Sequence, residues 1–371
     1  MRRFTSRRLA SGCLGATLLA ALALPAVAQP ELQGTTLLGS GPSTNDPSFC
    51  DIASFSGIPT AWVANYNTPG VNVFDLSVVP ATQLTFIPGP SGFKHATDVD
   101  ARDNAVAVTY YDPVLGGFVE VYDSVLIGTI IASFPVGPST SEPTGVEILD
   151  NTTLIIADGG RNVVQGWRYA GAGTGTPTGP EISTPVSPRG PGLRPMGVEV
   201  ATLGPRKFAL IAEEKSDRIE AFPITGSGEV RPGFRTVRTG VGPQRLYIEP
   251  STPMIFVASP GDDTVTLVMP GSPPVRLTTG LSGPIDVRAS VDFSGTLHLY
   301  VTNMHTAKLA YYSGAVGATP TFVGTYDTSP GPFGVMSRFG LPIDRPSGGS
   351  PIGDRIIVTS RGADAIDDFG R

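Results

Sequence analysis

Short stretches in which apolar and polar residues alternate recur along almost the whole chain. Two of them are Val71-Asn72-Val73-Phe74 and Val119-Glu120-Val121-Tyr122. A period of two is typical of a β-strand with one buried face. Each repeat begins with a motif close to Pro-x-Gly-apolar, and its apolar anchors are Val99, Val146, Val198, Leu246, Val287 and Val335.

A second series of strands gives an independent count of the repeats. Seven apolar strands each end in a small or polar residue, at Asn65, Tyr110, Asp158, Glu213, Ser259, Asn303 and Ser360. Units of about 40 to 55 residues with four strands each are the signature of a β-propeller. The pattern therefore predicts an all-β, seven-bladed β-propeller of four-stranded antiparallel blades.

The two ends of the chain predict how the ring closes. The last repeat stops after its third strand, Ala365 to Phe369, whereas an unassigned strand, Leu32 to Leu38, precedes the first repeat. We expect this N-terminal strand to join the last blade as its outer strand, because closure removes exposed sheet edges. The alternative is a disordered leader.

The first 28 residues have the pattern of a secretory signal peptide. Four arginines precede an apolar stretch from Leu14 to Ala26, and a small-residue cleavage motif ends near Ala28. A twin-arginine signal and an N-terminal amphipathic helix are weaker alternatives. We expect a single propeller domain over residues 29–371, exported to the periplasm or the medium after cleavage.

Charge and cysteine content narrow the function classes. The formal net charge is −6, and it becomes −10 without the four arginines of residues 1–28. Nucleic-acid partners are excluded by this acidity, since phosphate binding needs a basic surface. No apolar run after the signal is long enough to cross a bilayer. Cys50 is the only cysteine left, so no intramolecular disulfide forms, and we expect a monomer.

One repeat resembles a known family. Pro143-Thr144-Gly145-Val146, Ile155 to Asn162 and Val163 to Trp167 together are similar to an NHL or YVTN repeat of the lactonase-like propeller superfamily. The resemblance covers nearly the whole chain and implies the architecture. Members include sugar lactonases, lyases, periplasmic binding proteins and surface-layer proteins, so it does not select one activity.

Candidate site residues lie where each second strand ends, because propeller ligands bind at the mouth of the central channel. The proposed ligand-binding residues there are Asn65, Tyr110, Asp158, Glu213 and Asn303. Asn, Asp and Ser also start turns through bonds to their own backbone, and this structural role is the alternative.

The loops before the first strands add His95, Glu142 and Arg194 at equivalent positions, and His305 follows Asn303. His95, Glu213 and His305 are the candidates for catalysis. A Ca²⁺ or other divalent cation site at Asp158, Glu213 and Asn303, with Asn65, is chemically reasonable because all supply oxygen ligands.

Two functions follow from these features. The first is a binding or scaffold module that takes a small molecule or protein at the channel mouth, favoured by the absence of a catalytic sequence motif. The alternative is a metal-dependent, lactonase-like hydrolase or lyase with its site in the same mouth. The motif of lactonases with Asp between Pro and Gly is missing from every repeat.

Overall fold

The computed structural model describes residues 29–370 apart from 38–46, 56–57, 79, 103, 170–174, 184–193, 233–234, 251, 342–352 and 364. The predicted signal peptide, residues 1–28, lies outside the described residues. Within the described part, no helix has the length and apolarity needed to span a bilayer.

Seven antiparallel sheets form the described structure, and they are numbered here as blades in chain order. Blade 1 contains β2 (Pro47–Phe55), β3 (Ile58–Asn65), β4 (Gly70–Asp75) and β5 (Thr82–Pro88). Blade 2 contains β6 (His95–Arg102), β7 (Ala105–Asp112), β8 (Gly116–Asp123) and β9 (Ile130–Pro135). Blade 3 contains β10 (Pro143–Asp150), β11 (Thr153–Asp158), β12 (Val163–Tyr169), β13 (Gly175–Pro177) and β14 (Ile182–Ser183).

The remaining blades repeat the same order. Blade 4 contains β15 (Pro195–Leu203), β16 (Arg206–Glu213), β17 (Arg218–Ile224) and β18 (Arg235–Arg238). Blade 5 contains β19 (Arg245–Ile248), β20 (Ile255–Ser259), β21 (Thr264–Val268) and β22 (Val275–Leu277). Blade 6 contains β23 (Pro284–Val291), β24 (Thr296–Asn303), β25 (Lys308–Ala315) and β26 (Thr321–Asp327).

Blade 7 joins the two ends of the chain. It contains β27 (Pro332–Leu341), β28 (Gly353–Ser360), β29 (Ala365–Gly370) and β1 (Glu31–Leu37). Its order is β1-β29-β28-β27, so the N-terminal strand is the outer strand. Single 3₁₀ turns, Pro260–Asp262 and Arg361–Ala363, follow β20 and β28.

The first strands of neighbouring blades contact one another around the whole circle, including β27 with β2. The hydrophobic core is correspondingly divided into clusters between adjacent blades. One cluster joins Phe256 and Leu267 of blade 5 to Leu299 of blade 6, and another joins Ile357 of blade 7 to Val63 of blade 1. The predicted seven-bladed propeller and its closure by the N-terminal strand are confirmed.

Blade 3 departs from the four-stranded pattern. Its third strand, β12, pairs with β13 near Trp167 and with β14 near Val163, so two short segments replace one outer strand. Glycine permits the close approach of the neighbouring turn here. A Cβ on Gly166 would lie 2.1 Å from the backbone oxygen of Gly228.

An ion pair locks the seam between the last and first blades. Asp368 and Arg355 are 1% exposed, and the guanidinium donates to the carboxylate of Asp368 and to the backbone oxygen of Leu76 in blade 1. Asp368 also accepts a bond from the backbone N–H of Ala81 at 2.9 Å. The seam is therefore held by buried charges as well as by β1.

Candidate functional site

The central channel has one end that all blades build in the same way. Every first strand begins, and every second strand ends, at the same face of the ring, because these strands are antiparallel partners. We call this end the mouth. Inner strands of blades 1 to 6 line a small cavity behind it.

The residues that end the second strands are buried beside the mouth and do not line it. Their exposed fractions are at most 3%. They are Asn65, Asp158, Glu213, Ser259, Asn303 and Ser360, together with Tyr110, which holds the equivalent position in blade 2 although β7 continues to Asp112 and does not end there as predicted. Their predicted ligand-binding role stays a prediction.

Several of these side chains bind the loop that enters their own blade. Asp158 accepts bonds from the Ser141 hydroxyl at 2.6 Å and from the Glu142 N–H at 2.9 Å. Asn303 accepts one from the Ser282 N–H at 3.1 Å. These contacts fix the loops that carry the mouth residues.

The oxygen ligands proposed for a cation are not gathered in one place. Asn65, Asp158, Glu213 and Asn303 belong to blades 1, 3, 4 and 6. Among the described residues, no three His, Cys, Asp or Glu side chains form a group suited to a metal ion. The His95 and His305 side chains are likewise in different blades.

Glu213 faces a second carboxylate inside blade 4. Its side chain is 0% exposed, and both carboxyl oxygens make no hydrogen bond within the described structure. Burial, followed by repulsion from Glu220, raises the pKa of Glu213 to about 9. Burial also raises the pKa of Glu220 to about 6, although Arg218 contacts it at 2.6 Å. Glu213 is therefore protonated at neutral pH.

A stack of planar side chains forms one half of the rim of the mouth. The rings of Tyr66 and His95 are 4.0 Å apart and nearly parallel, and Tyr111 follows at 6.3 Å from His95. On the other side, the Arg361 guanidinium lies 4.4 Å from the Tyr66 ring and 4.3 Å from that of Phe333. These residues belong to blades 7, 1 and 2 and fix one another's orientation.

Charged and amide groups continue the rim across blades 3, 4 and 5. Arg194 donates to Glu142 at 2.9 Å and to Glu214 at 3.2 Å. Glu214 also accepts a bond from the Gln244 side chain at 2.9 Å. Burial raises the pKa of Tyr111, and repulsion from Glu142 adds to this shift. The charged half of the rim therefore interacts electrostatically with the stacked half. We call the whole set from Arg361 to Gln244 the rim arc.

The backbone of Arg194 is unusual for a side chain of this size. Its φ is +46°, in the left-handed region that costs energy for residues other than glycine. The other described non-glycine residues with positive φ are Asn162, Asp217, Asp263 and Ala307, which share one position in the turn after the second strand. Arg194 lies outside that repeat, in the loop before β15, where Asn162 Oδ1 accepts its N–H at 2.8 Å.

An arginine closes the channel below the rim arc. Arg245 of blade 5 donates to Asp98 of blade 2 at 2.9 Å, and its guanidinium lies 3.4 Å from the ring centre of Phe49. Blades 2 and 5 are on opposite sides of the ring, so this side chain crosses the channel. Phe49 also packs against Phe333 at 4.9 Å, which gives the mouth a partly apolar floor.

Four carboxylic acids lie beneath this floor. Asp51, Asp100, Glu147 and Glu199 occupy equivalent positions on four consecutive first strands. They pair with Trp62, Ala107, Ile155 and Leu210 of the second strands. Arg288 of blade 6 donates to Glu199 at 2.9 Å. Burial raises the pKa values of all four, that of Glu199 to about 7. We call these four the carboxylate layer.

The aspartates of the channel also join the blades. Asp98 accepts the Val146 N–H at 2.9 Å, Asp100 accepts the Ile148 N–H at 2.7 Å, and Asp286 accepts the Val335 N–H at 3.0 Å. In each case the donor is on the first strand of the next blade. Part of the acidity of the channel is therefore structural.

Sequence reasoning identified His95, Glu142 and Arg194 but missed their partners. Tyr66, Tyr111, Glu214, Gln244 and Arg361 also belong to the rim arc. The signal that finds them is position, since most follow the end of a second strand by one residue and so leave the buried face. His305 is exposed in blade 6, and its ring lies against Gly283.

The fold defines the class of protein as seven-bladed β-propellers, and comparison with solved structures places lactonase-like propellers and a lyase among its neighbours. Virginiamycin B lyase from Staphylococcus aureus matches with a TM-score of 0.64 and 13% identity, over 92% of this chain and 100% of the lyase. The periplasmic gluconolactonase PpgL of Pseudomonas aeruginosa has a TM-score of 0.59 and 16% identity, over 77% and 86% of the two chains. The predicted resemblance is confirmed as one of fold.

A third neighbour comes from a structure that contains a complex of two proteins. BBS1N, solved in complex with ARL6DN, matches with a TM-score of 0.60 and 12% identity, over 92% of this chain and 96% of that one. No protein-family model and no curated protein matches the chain. Identities this low support the architecture alone, because one propeller fold serves many functions.

Proposed function

We propose that this protein is an exported binding module that takes a small polar molecule at the mouth of its central channel. The observation that carries the proposal is the rim arc, in which side chains from six blades converge at one opening in two internally contacting groups. Arg194 supports it most strongly, since its strained backbone places a guanidinium between two carboxylates of different blades. Strain of this kind is concentrated at functional sites.

The rim arc has the rigidity that a binding site needs. Tyr66 is covered on one face by Arg361 and on the other by His95, and Arg194 is held from both sides. A site ordered before binding loses little conformational entropy when the ligand arrives. The N-terminal segment and the periplasmic neighbour support export.

A binding screen with matched arginine variants tests this function. We expect metabolites that raise the melting temperature of the wild type to bind at least about fivefold more weakly to Arg194→Met, a loss of about 1 kcal/mol. Arg231→Met is the control, because Arg231 pairs with Glu229 in a turn at the opposite face. Hits that bind both variants as tightly as the wild type would refute a site at the mouth.

The geometry of His95 favours hydrolysis or elimination as a second candidate function. Its Nδ1 lies 2.8 Å from the backbone oxygen of Tyr66. Since a carbonyl oxygen only accepts, Nδ1 carries the proton and Nε2 of the neutral ring has the lone pair of a general base. Turnover of lactones or cyclic esters that His95→Gln abolishes would support this function over simple binding.

A further inference from the structure

A hydrogen-bonded series of three side chains lies in blade 6, at the face of the ring opposite the mouth. Asp292 is in the turn between β23 and β24, His298 is in β24, and Tyr311 is in β25. Asp292 Oδ2 lies 3.0 Å from His298 Nε2, and His298 Nδ1 lies 2.8 Å from Tyr311 Oη. Both imidazole nitrogens are therefore bonded to side-chain oxygens, although His298 is 1% and Tyr311 0% exposed.

The partners of Asp292 fix the positions of the protons in this series. Its Oδ1 accepts bonds from the Ser294 N–H and hydroxyl and from the Thr296 N–H. Burial acts to raise the pKa of Asp292, but the hydrogen bonds from Ser294, His298 and Thr296 outweigh it and lower the pKa to about 2. An ionised carboxylate only accepts, so His298 Nε2 carries a proton. In the neutral ring Nδ1 has the lone pair, and the Tyr311 hydroxyl donates to it.

A phenol that donates to an imidazole can lose an electron and its proton together. Removal of one electron makes a phenol strongly acidic, and a base already bonded to the hydroxyl takes up the proton without rearrangement. The imidazolium formed at His298 would lie beside the Asp292 carboxylate, which stabilises its charge in the protein interior. The Tyr311 ring belongs to an apolar cluster with Val335 and Phe369 of blade 7, so solvent has no direct access to it.

Two further tyrosines extend from Tyr311 across blade 6. Tyr326 of the outer strand β26 is partly exposed, and its ring centre lies 6.4 Å from that of Tyr311. Tyr300 of β24 stacks against Tyr311 at 5.4 Å, with an angle of 13° between the rings. Electrons pass readily between aromatic rings at such separations. An oxidant that reaches Tyr326 at the surface can therefore act on Tyr311 without entering the protein.

We propose that Tyr311 is a redox site, which gives one electron to a radical oxidant at the surface of blade 6 and passes its phenolic proton to His298 Nδ1. The oxidant is an inorganic one-electron acceptor of the class of the carbonate and azide radicals, and it leaves as the corresponding anion. The protein keeps a neutral tyrosyl radical at Tyr311 and an imidazolium at His298, so the electron and the proton are both accounted for. This activity is independent of the mouth and of the function proposed for it.

One-electron oxidation of the full exported chain by azide radicals, generated by pulse radiolysis, tests the proposal. In wild-type protein with isotopically labelled histidine nitrogens, we expect a tyrosyl radical whose electron–nuclear double resonance spectrum shows coupling to a histidine nitrogen. Tyr311→Phe should remove this coupling and shorten the lifetime of the tyrosyl radical at least about tenfold, because the phenol bonded to a base is lost. His298→Gln should shorten the lifetime similarly, since an amide does not take up the proton.

Tyr312→Phe is the matched control. Tyr312 is the next residue in the chain and is 2% exposed, but its hydroxyl donates to the backbone oxygen of Thr279, which takes up no proton. We expect its radical to match that of the wild type in coupling and lifetime. Circular dichroism and the melting temperature establish that the variants fold. Equal radical lifetimes in Tyr311→Phe and the wild type overturn the proposal, as does a wild-type radical without histidine coupling, a result that requires no variant.

Discussion

At the scale of single residues, burial decides what each polar group does. Glu213 and Glu142 are both glutamates at the mouth end of a blade, yet one is 0% exposed beside another carboxylate and the other is 29% exposed beside an arginine. The buried group is protonated and structural, whereas the partly exposed one can meet a ligand. The chemistry of the mouth therefore depends on which way each residue points.

Replacing Glu213 tests its protonation. Its folded pKa of about 9 is above the ordinary value of 4.5, so its contribution to stability is complete below about pH 4.5 and is lost as the pH rises towards 9. Glu213→Gln cannot ionise. We therefore expect the urea concentration at the unfolding midpoint of the variant to rise relative to that of the wild type as the pH increases from about 5 to about 8.5.

The control for this experiment is Glu229→Gln, because Glu229 is paired with Arg231 in a turn at the opposite face. A constant difference between Glu213→Gln and the wild type across the range would contradict the assignment. Glu220 titrates in the same pair, with a pKa of about 6, so the wild-type curve should bend in two steps.

The sequence predicted only some residues of the mouth, because the direction in which a side chain points depends on packing between blades. Glu142 and Arg194 were found because the Pro-x-Gly-apolar motif fixes their position. Asp158 and Asn303 were placed by an equally clear rule, as the last residues of second strands, but their side chains bind the loops that enter their own blades. Whether the last residue of a strand faces the loop or the channel depends on the blade packed against it, which the local pattern does not contain.

At the scale of strands, alternation was a sufficient signal for most elements. The alternating stretches Val71-Asn72-Val73-Phe74 and Val119-Glu120-Val121-Tyr122 lie within the third strands β4 and β8. Outer strands are less regular because they are more exposed, and the split of blade 3 into β13 and β14 left no mark in the sequence. The outer strand of blade 7 was predictable because a last blade without it would be open.

Strand β1 is the element whose loss should matter most. Along β29 it covers every position from Ala365 to Gly370, and the Thr35 hydroxyl donates to Asp367 at 2.7 Å. Removing residues 29–37 exposes a sheet edge that pairs with other chains. We expect a lower melting temperature and concentration-dependent association, measured by calorimetry and light scattering.

A synthetic peptide of residues 29–38 should restore the melting temperature of the truncated chain when added in excess, because it binds the folded state alone. A peptide of the same composition in scrambled order is the control. Equal stability of the truncated and full chains would show that the Arg355–Asp368 pair and the core close the ring without β1.

At the scale of the whole molecule, a group of buried acids lies along the central channel. The carboxylate layer places four acids at one level, and among the described residues one arginine, Arg288, lies within ion-pair distance of it, at Glu199. Burial raises their pKa values, so folding takes up protons, and stability falls as the pH rises through the folded values. This is the direction opposite to that of ordinary surface carboxylates.

The whole propeller should consequently be more stable in mild acid than in mild alkali. We expect the wild-type melting temperature at about pH 5.5 to exceed that at about pH 8.5, and Glu147→Gln to reduce the difference. Glu147 is chosen because Asp100 and Glu199 add repulsion to its burial. A melting temperature that rises with pH in both proteins would contradict the raised pKa values.

The guanidinium of Arg245, which spans the ring from blade 5 to blade 2, turns the axis of the molecule into a blind passage. Whatever reaches the rim must leave through the same opening, so uptake and release compete for one route. A long polymer would be able to offer only its end or a side group, never a threaded segment. The channel of this propeller therefore opens at the mouth and is closed at the level of Arg245.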